Sequence, residues 1–208
     1  MYTMNNRRKA VLTLAVLLSL ASGQAFASSY HGGISNVTSS NETLDELYAA
    51  NKATVTVTGS GTITFTPSGT ADGKGAIDAS GESAVTIGSI SSPYDSLTAN
   101  GEILAENKST VNLYAKEITI NNLDGRLHGG TSLLIYDGSI GTIGDDTTAT
   151  VTVLGNIDVK DSDLTLKGNE IIIGLHEDPH VAIYHDFGGT VTIGDENTES
   201  VVINTGLL

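Results

Sequence analysis

A two-residue alternation of apolar side chains, recurring every seven or eight residues, most constrains the fold of this chain. In NIDVKDSDLTLKGNEIII, residues 156–173, three apolar pairs stand seven residues apart: Ile157 and Val159, Leu164 and Leu166, and Ile171 and Ile173. A coiled coil would need apolar residues three and four positions after Ile157, but Lys160 and Asp161 stand there. Alternate residues of a strand share one face. The stretch therefore predicts three successive strands with these six side chains inward, and with the charged residues, including Asp163 and Lys167, at or beside turns.

The same alternation recurs along the chain. It appears in ATVTVTGSGTITF at 53–65 and in STVNLYAKEITI at 109–120. Threonine and valine dominate these segments, which suits a pleated, half-buried surface, and the connectors carry Gly, Asn, Asp and Ser. The sequence therefore predicts an all-β protein.

A longer echo predicts how the strands are arranged. TIGDDTTATVTV at 142–153 is matched by TIGDENTESVVI at 192–203, and a shorter TIGSI begins at Thr86. Units of strand, turn and strand taken three at a time give about 20–24 residues, a typical solenoid repeat. We expect a right-handed parallel β-helix over residues 53–208. A β-sandwich or irregular all-β meander stays open, because TGSGT at 58–62 fits a hairpin turn.

One segment departs from the strand pattern. SNETLDELYAANK, residues 40–52, places Leu44, Leu47 and Tyr48 at helical spacing behind a possible N-cap at Ser40 or Asn41. We expect residues 28–52 to be a capping segment whose short helix covers the first coil.

The N-terminus predicts export. Arg7, Arg8 and Lys9 precede an apolar run of about twelve residues, which is too short to span a bilayer, and then Ala25-Phe26-Ala27. We predict a Sec signal peptide over residues 1–27, cleaved between Ala27 and Ser28. The mature chain is expected to contain no transmembrane helix, and to pass through the periplasm to the cell surface or the medium.

Charge and cysteine content exclude some classes of protein. The net charge is −14, and removal of the three leader cations makes it −17. A chain this acidic repels phosphate backbones, so nucleic acid is not an expected partner. With no cysteine, stability must come from a continuous core or from repetition.

No motif predicts catalysis, and we expect no enzyme activity, no catalytic residue, no cofactor and no metal site. HEDPH, His176–His180, fits H-E-x-x-H, but Pro179 and the strand-like flanks argue against the helix that a zinc protease needs. His185 and Asp186 nearby suggest at most an adventitious metal contact. A sugar-acid lyase would need a basic residue, and outside the leader Arg126, near Asp124 and His128, is the one arginine. The acidic turns are expected to be solvated rather than calcium-binding: Asp145-Asp146, Asp161 with Asp163, and Asp195-Glu196.

The leader, the cysteine-free acidic composition and phrases such as TVTIGDENTESVVI and GNIDVKDSDLTLKGNEIII resemble the passenger region of Gram-negative autotransporters. That resemblance covers most of residues 28–208 and implies a β-helical, adhesive stalk at the cell surface. It also implies a C-terminal membrane barrel, which three phenylalanines could not furnish.

The expected function is that of an exported structural or adhesive protein that presents loops to host or neighbouring cells, with surface glycans or proteins as partners. Two alternatives remain: a carbohydrate-active enzyme of the lyase or glycosidase type, and a truncated fragment with no activity of its own. Because nothing after SVVI resembles a cap, we expect either a neighbouring chain over that end or a domain that is incomplete there.

Overall fold

The computed structural model describes residues 16–19, 28–68, 75–122, 130–174 and 183–204. These residues form strands and connecting turns and contain no helix, which confirms the all-β prediction. The first nine strands are β1 Val16–Ser19, β2 Ser28–Thr38, β3 Glu42–Leu44, β4 Leu47–Thr58, β5 Thr62–Phe65, β6 Ile77–Ala79, β7 Ala84–Ile87, β8 Tyr94–Asn100 and β9 Ile103–Ala105. The next nine are β10 Thr110–Leu113, β11 Ala115–Asn121, β12 Thr131–Tyr136, β13 Ile140–Ile143, β14 Thr150–Leu154, β15 Asn156–Leu166, β16 Glu170–Ile173, β17 Ile183–Ile193 and β18 Ser200–Ile203.

The strands form two sheets in which every described pairing is parallel. The larger sheet has 11 strands, and eight of them close into a barrel-like ring in the order β4-β6-β9-β12-β15-β13-β10-β7, with β7 pairing back to β4. The second sheet has seven strands in the order β18-β16-β14-β11-β8-β5-β3. The expected right-handed parallel β-helix is therefore wrong, because the pairing closes a ring beside a separate sheet. The all-parallel ladders also contradict the hairpins of the alternative arrangement.

Two long, bent strands close the ring. The first part of β4 pairs with β6 and its last part with β7, while β15 pairs with β12 and then with β13. The bends lie at residues with positive φ: Asn51 at 57° and Lys52 at 65° in β4, and Asp161 at 49° in β15. Asn and Asp adopt this conformation more readily than most residues. Two of the strands predicted for residues 156–166 are thus one strand with a bend.

One continuous hydrophobic cluster joins the ring to the seven-stranded sheet. It contains all six side chains that the alternation placed inward: Ile157, Val159, Leu164, Leu166, Ile171 and Ile173, none more than 1% exposed. The inward assignment is confirmed, and the core is built from alternate residues of successive parallel strands.

The expected capping helix is wrong, because residues 40–52 form strands. β3 pairs with β5, and β4 pairs with β2 and β6. Leu44 and Leu47, 4% and 2% exposed, are both buried because residues 45 and 46 turn the chain between two strands. Neighbouring strands supply the backbone hydrogen bonds that a helix would have made internally.

The predicted leader lies mostly outside the described residues, and so does Ala27 of the predicted cleavage site. Within it, β1 pairs in parallel with β2, with Val16 opposite Ser35. No helix that could cross a membrane occurs in the part of the chain that the structure describes.

A serine ladder stabilises one corner of the ring. The backbone N–H groups of Ala53, Ser83, Ser109 and Ser139 donate in turn to the hydroxyls of Ser83, Ser109, Ser139 and Ser162, at 3.0–3.1 Å. These four serines are at most 3% exposed. Each hydroxyl therefore pairs a buried backbone donor that the bend would otherwise leave without a partner.

The similar segments at residues 142–153 and 192–203 form the same kind of turn. Gly144 and Gly194 have φ values of 81° and 78°. The following N–H groups donate to a threonine hydroxyl three residues on, from Asp145 to Thr148 at 3.0 Å and from Asp195 to Thr198 at 2.9 Å. The echo is therefore a shared turn, and its interpretation as the repeat of a solenoid is corrected.

Candidate functional site

The inward residues of the last two strands are not covered by any further described strand. β17 pairs with β15 and β18 with β16, and the described residues supply no further strand beyond either one. Their inward residues continue the core rows: Val191 follows Leu164, Ile193 follows Leu166, Val201 follows Ile171 and Ile203 follows Ile173. We call Val191, Ile193, Val201 and Ile203 the open end.

Exposure changes abruptly at the open end. Val201 and Ile203 are 44% and 43% exposed, whereas Ile171 and Ile173, which lie opposite them in the neighbouring strand β16, are 0% exposed. Val191 and Ile193 are half-buried. A contiguous apolar surface of this kind is typical of an interaction site in a soluble protein.

The same four residues carry backbone groups that point away from the fold. Ser200 and Asn204 donate toward β16, to the carbonyls of Asn169 at 3.1 Å and Ile173 at 2.8 Å. Because successive residues of a strand point their N–H and C=O to opposite sides, those of Val201 and Ile203 face the free edge of β18. In β17, the Gly194 N–H donates to the Leu166 carbonyl at 2.9 Å. By the same alternation, the backbone groups of Val191 and Ile193 face the free edge of β17. The open end therefore combines apolar side chains with a free strand edge.

Two exposed aromatic side chains lie on β17, the strand that also carries Val191 and Ile193. Phe187, at the bend of β17, is 80% exposed with φ at 67°, a strained conformation for a bulky residue. The Lys160 ammonium lies 5.2 Å from its ring centroid, and Tyr184 is 53% exposed. Strain and exposure of this kind are concentrated at functional surfaces rather than in packing positions.

The surroundings of the open end are acidic. Residues 183–204 carry four carboxylates, Asp186, Asp195, Glu196 and Glu199, and no lysine or arginine. The Lys167 ammonium reaches into this region and contacts Asp195 at 3.1 Å and Asp146 at 3.6 Å. The Asn197 backbone N–H and then Lys167 lower the pKa of the Asp195 carboxyl, which keeps it ionised. The open end therefore has a negative border.

A second feature is an acidic cavity of about 250 Å³ on the outer face of β4 and β6. It is lined by Ser29, His31, Glu46, Leu47, Tyr48, Gly75 and Asp78. The His31 and Tyr48 rings contact edge to face with centroids 5.5 Å apart. Two carboxyl groups and two rings thus line a space large enough for a small polar ligand.

Asp78 is the perturbed group of this cavity. It lies between Ile77 and Ala79, both inward and fully buried, so its side chain faces outward. Burial, and then the charges of Glu106, Glu102 and Glu46 in that order, raise the pKa of Asp78 to about 7. Among the described residues, its Oδ1 has no hydrogen-bond partner. Asp78 can therefore exchange a proton near neutral pH.

The catalytic and metal-ligand candidates singled out in the sequence lie only partly within the described residues. His176–His180 and the group of Asp124, Arg126 and His128 lie outside the described residues. His185 and Asp186 are exposed in β17, and the His185 Nε2 lies 3.1 Å from the Gly188 carbonyl. Within the described ranges, no group of three or more His, Asp or Glu side chains is arranged to bind a metal.

The acidic turns have structural partners. Asp145 accepts hydrogen bonds from the N–H and hydroxyl of Thr147, at 2.7 and 2.6 Å, and Asp195 accepts one from Asn197 N–H at 2.9 Å. Asp161 forms the bend of β15. The Asp145 and Asp195 carboxylates satisfy turn N–H groups, as Asp commonly does.

Sequence reasoning missed the acidic cavity. Glu46, Asp78, Glu102 and Glu106 are brought together by strand register across separations that no linear motif records. No protein-family model, curated protein or solved structure matches this chain.

Proposed function

We propose that this protein is an exported structural or adhesive protein, similar to an autotransporter passenger region, that contacts a partner at the surface of a host or neighbouring cell. The observation that carries the proposal is the open end, where apolar side chains and free backbone groups occur on the same four residues. A signal peptide over residues 1–27 is the sequence feature that supports export.

The chemistry of such a contact follows from the fold. Parallel ladders on a continuous core hold the open end in a fixed geometry, so little ordering entropy is lost when a partner binds. Burying Val201 and Ile203 removes apolar surface from water, and pairing their backbone groups adds hydrogen bonds. A rigid scaffold with one exposed edge, which offers both apolar side chains and free backbone groups, suits adhesion better than catalysis.

The test compares neighbouring residues that face opposite ways. The full chain is produced with its own leader in a Gram-negative host, its exposure is measured by antibody labelling of intact cells, and its adhesion to target cells is counted. Val201→Lys should reduce adhesion strongly, because a charge enters the apolar row. Val202→Lys is the matched control, since Val202 is similarly exposed, at 41%, but faces outward. Equal adhesion of both variants and the parent, or no surface labelling, would contradict the proposal.

The acidic cavity favours a second candidate, a carbohydrate-active enzyme. A carboxyl with a pKa of about 7 beside a second carboxyl, Glu46, is the kind of pair that protonates and deprotonates sugar substrates. A polysaccharide depolymerisation assay tests it. Turnover that disappears in Asp78→Asn would support this candidate over adhesion, and no turnover with neutral and acidic polysaccharides would remove it.

A further inference from the structure

We propose that β18 binds an extended segment of a partner protein as an additional parallel strand, and that this segment alternates apolar residues with lysine or arginine. The inference rests on the proposed function, because it specifies the partner of the same open end. Its three supports are the direction of the free backbone groups, the apolar rows and the charge of the border.

The backbone geometry defines how the segment pairs. The N–H and C=O groups of Val201 and Ile203 face the free edge, since Ser200 and Asn204 are bonded to β16. In a parallel ladder, each such residue bonds to the two residues that flank its opposite partner. β18 itself follows this rule on β16, with Val201 opposite Ile171 and Ile203 opposite Ile173. An added strand would repeat that register, as in other cases of strand addition to a sheet edge.

The side chains define the apolar half of the segment. Residues opposite Val201 and Ile203 would lie over them, as these lie over the fully buried Ile171 and Ile173. Val, Ile or Leu at these two positions would extend the core row by one layer. The flanking residues point outward and need not be apolar.

The acidic border of the open end favours lysine or arginine at the remaining positions of the segment. The carboxylates of Glu196 and Glu199 precede β18, Asp195 is already paired with Lys167 at 3.1 Å, and residues 183–204 carry no lysine or arginine. A basic segment is attracted to this border. A second copy of the chain is disfavoured, because the net charge is −14 and its own edge strand β3 begins at Glu42, close to Asp45 and Glu46.

The probe is a synthetic peptide of alternating lysine and valine, fluorescently labelled, whose binding to the full chain is measured by anisotropy. With valines opposite Val201 and Ile203, the lysine N–H groups donate to β18, while the valine N–H groups face solvent. N-methylation of the lysine residues should therefore weaken binding about tenfold or more, because it removes those donors. N-methylation of the valines, the matched control, should leave the affinity nearly unchanged.

Three further arms test the other supports. A glutamate–valine peptide should bind at least about tenfold more weakly, and Glu196→Gln with Glu199→Gln should narrow that difference. Val201→Lys should abolish binding while Val202→Lys should not, with circular dichroism confirming that both variants fold. Equal binding of the two N-methylated peptides, or equal binding of the acidic and basic peptides, would overturn the proposal. So would a dimer in sedimentation that the basic peptide cannot dissociate, because a second copy would then occupy the edge.

The outcome is separable from that of the proposed function. Cell adhesion that depends on Val201 without any binding of the lysine–valine peptide would retain the adhesive function and refute this partner chemistry. Peptide binding with the predicted N-methyl pattern but no adhesion would retain the edge as a strand-binding site and refute the cell-surface role.

Discussion

The Tyr94 hydroxyl donates a 2.8 Å hydrogen bond to the backbone carbonyl of Ser39, 55 residues earlier in the chain. Tyr94 is fully buried, and burial raises the pKa of its hydroxyl well above the usual value, with the charge of Glu42 adding to the effect. This bond joins β8 to the turn that precedes β3.

Tyr94→Phe should lower the free energy of unfolding by about 1–2 kcal/mol, because the Ser39 carbonyl loses a buried donor while the ring still fills its space. Urea denaturation measures the change. Tyr184→Phe is the control and should have little effect, since Tyr184 is 53% exposed. Equal stability of the Tyr94 variant and the parent would show that water replaces the hydroxyl.

Ser109→Ala should destabilise the ring by about 1–3 kcal/mol. The Ser109 hydroxyl accepts the Ser83 N–H at 3.1 Å, and both residues are buried, so the variant leaves that donor without a partner. Thermal unfolding measures the loss. Ser91→Ala, at an exposed position, should change stability by less than about 0.5 kcal/mol. A loss no larger in Ser109→Ala than in Ser91→Ala would contradict a stabilising ladder.

Gly144→Ala should cost much more than Gly33→Ala, although both glycines have nearly the same positive φ, 81° and 80°. A Cβ at Gly144 would lie 2.1 Å from the Lys167 carbonyl oxygen, whereas at Gly33 it would meet nothing within 4 Å. We expect a loss of about 1 kcal/mol at Gly33 from backbone strain alone and of at least about 3 kcal/mol at Gly144. Denaturant midpoints of the two variants compare them directly, and equal losses would show that φ alone decides.

Asp78 should make the protein less stable as the pH rises. Its pKa is about 7 in the fold against an ordinary value of 3.8, so between these values the folded chain binds more protons than the unfolded chain. Stability from this group is therefore present at low pH and is lost as the pH rises through about 7.

Asp78→Asn should remove the loss of stability that Asp78 causes as the pH rises through about 7. We expect a gain on the order of 1–2 kcal/mol at about pH 8 and little change at about pH 4.5, because water still reaches part of the carboxyl group. Melting temperatures across this range measure the effect. Exposed Asp186→Asn should leave the pH profile of the parent unchanged. A parallel profile for Asp78→Asn and the parent would show that other groups set the pH dependence.

The alternation of apolar residues predicted which side chains are inward but not how the strands connect. Ile157 and Val159 are inward in any sheet that buries one face, so their burial follows from period two alone. Whether a strand stops or bends at Asp161 depends on one φ angle, and apolar periodicity does not encode it. For that reason residues 156–166 were predicted as two strands, and the ring that β15 closes was not predicted.

The helix predicted at residues 40–52 failed for a related reason. Leu44 and Leu47 stand three apart, which matches a helical face, but two strands joined by a turn give the same spacing between buried residues. The capping signal at Ser40 and Asn41 was also ambiguous, because Ser40 Oγ instead accepts the Ser60 N–H at 3.1 Å, and the Asn41 Oδ1 accepts that of Thr62 at 3.0 Å. Cross-strand partners decided the outcome, and the local sequence does not show them.

The all-parallel pairing has a consequence for how the chain reaches its native state. Every described ladder joins residues at least 19 positions apart, the shortest separations being those of β1 with β2 and β2 with β4. No hairpin occurs among the described strands, so loop-closure entropy opposes each pairing before its contacts can stabilise the chain. We expect refolding to be slow for a chain of this size, with each finished layer serving as the template for the next. We therefore expect a newly made chain to remain unfolded for a long time before its two sheets form.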